Sequence, residues 1–179
     1  MGAEPSDRGY PNKILFVAGE TEEGVLPVWA GKLRVNIDKV KIEPLEGEYD
    51  QRKIKIINKY ISDAQTTVFL MVDSHAKEEV KQTVDEDHRI IIEGTTEDYY
   101  PISILVQVLN RRFDLTLTED DIDPQKPRVE EIKKVLKEKR GIPRKNDFWK
   151  RSIGKEVAKL MSEADIPQEI KDFIRKVAN

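Results

Sequence analysis

Acidic residues that could bind a metal follow three apolar segments of the chain. They are Glu20, Glu22 and Glu23 after the first segment, Asp73 after the second, and Glu93, Glu97 and Asp98 at and after the end of the third. Converging carboxylates repel one another and rarely gather without a cation, and oxygen ligands favour Mg²⁺ or Mn²⁺ over zinc. Surface loops are often acidic as well, so the spacing alone leaves a solvated acidic loop as an equal alternative to a metal site.

The elements that would position these acids alternate between strand and helix. Apolar runs at 13–18, 40–44, 66–72 and 89–93 predict four short strands, and amphipathic stretches between them predict helices. This alternation predicts an α/β fold with an open, mostly parallel sheet of about four strands and helices on both faces. Ligands of such sheets bind at the carboxyl ends of the strands, where the acids stand. Thr21 is predicted to cap the helix that follows the first strand.

The predicted organisation is one domain with a helical extension. Residues 1–12 are predicted to be a polar N-terminal tail, 13–118 the α/β core, and 119–179 a basic helical extension that completes the domain. The net charge of the chain is −3, but residues 128–155 hold eleven Lys or Arg against four Asp or Glu. This basic segment predicts either a surface that binds phosphates or a solvated helix face.

The composition and the missing motifs exclude several classes of protein. The absence of cysteine excludes disulfides and thiolate metal sites. No apolar run approaches the roughly 20 residues that span a bilayer, and the N-terminus lacks the pattern of a secretory signal. We therefore expect a cytoplasmic protein without a membrane partner. The sequence GxxxxGK[ST] does not occur, which excludes a P-loop ATPase within this chain.

Four short motifs occur in a characteristic order along nearly the whole chain. Phe-Val-Ala-Gly-Glu-Thr-Glu-Glu at 16–23, followed by Val-Leu-Pro, ends the first predicted strand, and Val-Asp at 72–73 ends the third. Thr-Glu-Asp-Tyr-Tyr-Pro at 96–101 comes next, and Lys155 stands near the start of a late helix. Together these motifs resemble the TOPRIM metal-binding nuclease module of the OLD (overcoming lysogenization defect) family.

The resemblance implies a TOPRIM-like Rossmannoid fold and a metal-dependent DNA endonuclease or nicking module that uses Mg²⁺ or Mn²⁺. The implied site residues are Glu22, Asp73, His75 and Glu97 as metal ligands, Lys155, Glu97 and the position of Ala18 as the catalytic set, and Lys145, Lys150, Arg151 and Lys155 as contacts to DNA. OLD-type enzymes usually carry an ATPase, so an ATPase domain or subunit in trans is also expected. Assembly as a homodimer and a role in phage defence are further implications.

Two positions depart from the family's pattern. Ala18 stands where the family has its first acid, and His75 stands where the second acid of a DxD pair is usual. A missing carboxylate at Ala18 would weaken one metal and remove a general base, whereas His75 could ligate Mn²⁺ or be a plain surface residue. The alternative prediction is therefore a catalytically inactive module that binds DNA or an ATPase, and a third is primase-like nucleotidyl transfer.

Overall fold

A computed structural model describes residues 12–45, 51–63, 65–141 and 150–179. The strands and helices in these ranges are β1 (Lys13–Val17), α1 (Glu20–Lys32), β2 (Val40–Pro44), α2 (Gln51–Ile61), β3 (Thr67–Asp73), α3 (Glu78–Lys81), β4 (Arg89–Ile92), α4 (Ile102–Phe113), α5 (Arg128–Arg140), α6 (Lys150–Leu160) and α7 (Gln168–Ala178). Short 3-10 helices lie at Glu86–His88, Thr96–Tyr99, Glu119–Asp121 and Glu163–Asp165. No helix of the described ranges is long and apolar enough to cross a membrane.

The four strands form one parallel sheet in the order β2-β1-β3-β4. At the carboxyl end of the sheet Val17 pairs with Met71, and two residues further along β3 Asp73 pairs with Ile92. The acids that follow β1, β3 and β4 therefore leave the sheet at the same edge. The predicted four-stranded parallel sheet is confirmed, with strand ends that differ from the predicted ones by about one residue.

Both faces of the sheet are covered, and the strand residues alternate between them as the two-residue period of a strand requires. Leu15 and Met71 face the larger core, which α1, α4, α5, α6 and α7 complete. Phe16 and Leu70 face a smaller core, which α2 and α3 complete. Because β1 and β3 are buried on both sides, their sequences are nearly continuous apolar runs, and this made these two strands easy to predict.

The start of α1 differs from the prediction. Gly19, not Thr21, is the residue that precedes the helix, and the Glu22 carboxylate accepts a hydrogen bond from the Gly19 amide at 2.8 Å. The prediction that Thr21 caps this helix is wrong, because the glutamate three residues after Gly19 already takes that role. Thr21 instead lies in the first turn, 3% exposed, where its hydroxyl is available for a long-range contact.

Helices α1 and α6 approach each other at two glycines. A Cβ added to Gly24 of α1 would stand 2.8 Å from the backbone carbonyl oxygen of Arg151. A Cβ added to Gly154 of α6 would stand 2.7 Å from the Tyr100 hydroxyl and 3.0 Å from a methyl group of Val25. These contacts bring the start of α6 over the start of α1, which is how the late basic segment reaches the carboxyl edge of the sheet.

Replacing Gly24 by alanine is expected to lower the free energy of unfolding by about 1–3 kcal/mol, because the added methyl group meets backbone that must move. Gly31→Ala is the matched control, since Gly31 lies on the same helix and a Cβ there meets nothing within 4 Å. The control is expected to gain about 0.5–1 kcal/mol, because alanine favours the helix. Urea unfolding of both variants measures the difference, and two changes of the same sign would contradict this account of the crossing.

Candidate site at two buried glutamates

Glu22 and Glu97 are both buried, each with an exposed fraction of 4%. Glu22 lies in the first turn of α1, directly after β1, and Glu97 lies in the short helix Thr96–Tyr99, shortly after β4. Both belong to segments that leave the carboxyl edge of the parallel sheet. The structure therefore brings together two of the residues that the sequence predicted as metal ligands.

Two threonines hold these carboxylates in a reciprocal arrangement. The Thr21 hydroxyl donates to Glu97 Oε1 at 2.7 Å, and the Thr96 hydroxyl donates to Glu22 Oε1 at 2.5 Å. The amide of Gly19 donates to the other oxygen of Glu22. Each Thr-Glu dipeptide thus donates a hydroxyl hydrogen bond to the glutamate of the other, and these bonds fix the orientation of both carboxyl groups.

Sequence analysis did not assign either threonine a part in the site. The signal that could have found them is the dipeptide Thr-Glu, which occurs at 21–22 and at 96–97, each time shortly after a predicted strand. A threonine next to a glutamate in two segments that converge can give each buried carboxyl group a hydroxyl donor.

Burial makes the ionised form of Glu22 costly. Desolvation is the largest cause that raises the pKa of Glu22 from its ordinary value of 4.5 to about 7, and the negative charge of Glu97 adds to it. Hydrogen bonds from Thr96 and from the Gly19 amide act in the opposite direction. Near neutral pH the repulsion between the two buried carboxylates can be lowered either by a proton on one of them or by a bound cation.

The Tyr100 hydroxyl lies beside the pair. It is fully buried and has no hydrogen-bond partner within the ranges that the structure describes. Burial raises the pKa of Tyr100 well above its usual range, and the charges of Glu97 and Glu22 raise it further, so the hydroxyl keeps its proton. An added Cβ at Gly154 would come within 2.7 Å of the oxygen, which places this donor at the crossing of α1 and α6.

Three of the four predicted DNA-contacting residues lie in the first half of α6. Lys155 is exposed and follows Gly154 directly, and Lys150 is partly exposed. Arg151 Nη2 contacts Glu23 Oε1 at 3.2 Å, so this guanidinium links α6 to α1. Lys145 lies outside the described residues. No measured contact tests the DNA-binding role of these side chains, which stays a prediction.

Asp73 and His75 occupy the turn after β3. The Asp73 carboxylate accepts a hydrogen bond from the backbone amide of His75 at 2.9 Å, and the His75 side chain is exposed. Ala18, between β1 and Gly19, is partly exposed. In the part of the chain that the structure describes, no three His, Asp or Glu side chains form a group that could hold a metal ion. The metal roles of Asp73 and His75 remain predictions.

Comparisons with known proteins bear on the fold. No protein-family model and no curated protein sequence matches this chain. One similar solved structure is the C-terminal region of the Xanthomonas campestris pv. campestris OLD protein phased with mercury, with a TM-score of 0.65, 12% identity, and coverage of 95% of this chain and 96% of that chain. Another is the C-terminal region of the Burkholderia pseudomallei OLD protein, with a TM-score of 0.62, 13% identity, and coverage of 94% and 98%.

These likenesses show that the chain has the fold of the C-terminal region of OLD proteins over nearly its full length. The predicted TOPRIM-like α/β fold is thereby confirmed. At 12–13% identity the comparison concerns the fold alone, so the chemistry has to be argued from the site.

Proposed function

We propose that this chain is an OLD-type TOPRIM module that cuts or nicks DNA with the help of Mg²⁺ or Mn²⁺. The observation that carries the proposal is the buried pair of Glu22 and Glu97 at the carboxyl edge of the parallel sheet. Ligand sites of parallel α/β sheets lie at that edge. The fold shared with OLD C-terminal regions supports the same conclusion.

The residues present fit a divalent cation. Mg²⁺ is usually held by one or two carboxylates together with waters and substrate phosphates, so Glu22 and Glu97 would supply two ligands, and Asp73 is proposed as a further one. Burial and the charge of Glu97 raise the pKa of Glu22, and a bound cation would favour the ionised form of both carboxylates. When bound, such a cation stabilises the negative charge that builds on a phosphate during hydrolysis.

The other side chains then have defined tasks. Thr21 and Thr96 hold the carboxylates in one orientation, and the Tyr100 hydroxyl is a protonated donor beside them. Lys155 carries an exposed ammonium group at the middle of α6, and we assign it the stabilisation of a scissile phosphate. The basic segment around it, including Lys150, would follow the DNA backbone. An ATPase acting in trans and a homodimer complete the proposed assembly.

Plasmid cleavage with Mg²⁺ and with Mn²⁺ tests this function. Ala18→Glu adds a carboxylate one residue before Gly19, whose amide already binds Glu22, so it adds an oxygen ligand beside the pair. We expect the variant to nick supercoiled plasmid at least about 100-fold faster than the chain as it stands, since a lost metal ligand or general base typically costs on that order. Gel quantification of nicked circles gives the rate.

Further variants decide between cleavage and binding. Adding Asp73→Ala or Glu22→Gln to Ala18→Glu is expected to abolish cutting, and Glu20→Gln, an exposed acid on the same helix turn, is expected to leave it intact. If neither the chain nor Ala18→Glu cuts, the nuclease proposal is wrong. The alanine at position 18, where the family has an acid, would then favour the second candidate, which is a catalytically inactive module that binds DNA or an ATPase.

A further inference from the structure

Arg128, the first residue of α5, is a buried cation. Its exposed fraction is 7%, and its Nε and Nη1 atoms are fully buried without a hydrogen-bond partner in the described part of the chain. The buried acid on the same helix, Glu131, is already engaged, because its Oε2 accepts from Lys134 and from the amide of Asp123. Glu131 therefore does not supply a hydrogen-bond acceptor for the buried Nε and Nη1 atoms of Arg128.

An unpaired buried guanidinium is unfavourable, and arginine cannot relieve the cost by losing its proton. Glu22 can take up a proton when its charge is not compensated, but Arg128 has no such alternative. Buried charges in proteins are generally paired, so the physical expectation is an anion that binds to this side chain. A guanidinium presents its donors as a planar fork, and this geometry suits phosphate oxygens.

The backbone of Arg128 is tied to the segment that carries Glu97. Its amide donates to Asp98 Oδ1 at 2.7 Å, and Oδ2 of Asp98 accepts from the Thr95 amide at 2.7 Å. Both Asp98 oxygens are therefore committed to backbone amides. The backbone of Arg128 is thus tied to the segment of Glu97, while Nε and Nη1 of its guanidinium make no hydrogen bond in the described part of the chain.

An anion can reach this position from solvent. The residues just before α5, from Pro124 to Pro127, are all exposed, so the start of the helix lies close to the protein surface. A small oxyanion could therefore approach Arg128 from the side of these exposed residues.

We propose that Arg128 binds a phosphate-class oxyanion at the start of α5. This inference rests on the proposed function. The occupant is then a phosphate of the DNA backbone next to the scissile phosphate, because α5 begins beside the segment that carries Glu97. A free phosphate ion offers the same chemistry, and the experiment separates the two sources.

The first arm uses inorganic phosphate and the folded protein labelled with ¹⁵N. Phosphate at constant ionic strength is expected to shift the Nε–H resonance of Arg128, which is identified because Arg128→Lys lacks it. Thermal unfolding gives the second readout. Phosphate is expected to raise the Tm of the protein and of Arg175→Met, a partly exposed control on α7, but not the Tm of Arg128→Met. Removal of an unpaired charge also predicts that Arg128→Met, without phosphate, unfolds at no lower a Tm than the parent.

The second arm measures the affinity for a short DNA duplex by fluorescence anisotropy. Arg128→Lys is expected to weaken the Kd about tenfold, because a point charge replaces a fork. A shift with phosphate but an unchanged Kd for DNA assigns the site to a free phosphate ion. An unshifted Nε–H resonance, or an equal phosphate effect in Arg128→Met, overturns the proposal. Neither arm requires cleavage, so a failure of the nuclease assay leaves this test intact.

Discussion

The free energy of unfolding is expected to fall by about 3 kcal/mol as the pH rises from 4.5 to 7, because of Glu22 alone. The folded protein keeps the Glu22 proton up to a pKa of about 7, whereas the unfolded chain releases it near the ordinary value of 4.5. Between these values the folded state binds more protons than the unfolded state, so a rising pH favours unfolding. Below 4.5 both states are protonated and the stability from this group is fully present.

Urea unfolding at pH 5, 6, 7 and 8 without divalent cations measures this slope. Glu22→Gln keeps the shape and the neutral charge of the protonated side chain, so it should remove most of the slope and be more stable than the parent at pH 8. Glu20→Gln is the matched control, since Glu20 is exposed on the same turn, and it should leave the slope unchanged. An equal slope in Glu22→Gln and in the parent would contradict the role given to burial.

Mn²⁺ or Mg²⁺ is expected to restore the stability that the ionised pair loses at pH 8. A cation that binds Glu22 and Glu97 only in the folded state adds about 2.7 kcal/mol when its concentration is a hundred times its Kd. At pH 5 Glu22 carries a proton, which opposes the cation, so the stabilisation should largely disappear there. This pH dependence separates binding at the pair from weak binding at surface carboxylates.

Thermal unfolding at both pH values, with NaCl at matched ionic strength as the salt control, measures the effect. Glu22→Gln and Glu97→Gln should each abolish the stabilisation by metal at pH 8. Asp73→Asn tests the predicted ligand Asp73, which has no contact with Glu22 or Glu97 in the described ranges. A smaller stabilisation by metal in this variant would confirm Asp73 as a ligand. If Glu22→Gln responds to Mn²⁺ as the parent does, the cation binds elsewhere.

Much of the fold could be predicted because its signals are local. The runs that become β1 and β3 are apolar on both faces, since the parallel sheet is covered on both sides, and their ends are marked by Gly19 and Asp73. Helix positions followed from the 3.6-residue period in the same way. The resemblance at 16–23 and at 96–101 added Glu22 and Glu97, which no periodicity distinguishes from other surface acids.

The start of α1 shows where local signals are ambiguous. The sequence predicted Thr21 as the cap of this helix, because threonine is a preferred capping residue. In the structure the Glu22 carboxylate takes that role by accepting from the Gly19 amide. The Thr21 hydroxyl instead donates to the buried carboxylate of Glu97, 76 residues away in the chain. An unsatisfied buried carboxylate costs more than a lost cap, so the long-range contact determines the local one.

The amino-acid sequence by itself determined the α/β class, the positions of the strands and the identity of two acids, since each depends on neighbours within a few residues. Only the tertiary structure decided that Thr21 and Thr96 donate to each other's glutamates and that Gly24 and Gly154 let α6 reach α1. It also decided that Nε and Nη1 of Arg128 are buried with no hydrogen-bond partner among the described residues. These features depend on segments far apart in the chain coming within a few ångströms. Burial between these segments raises the free energy of each charged side chain, and the local sequence pattern does not predict which charged side chains are buried.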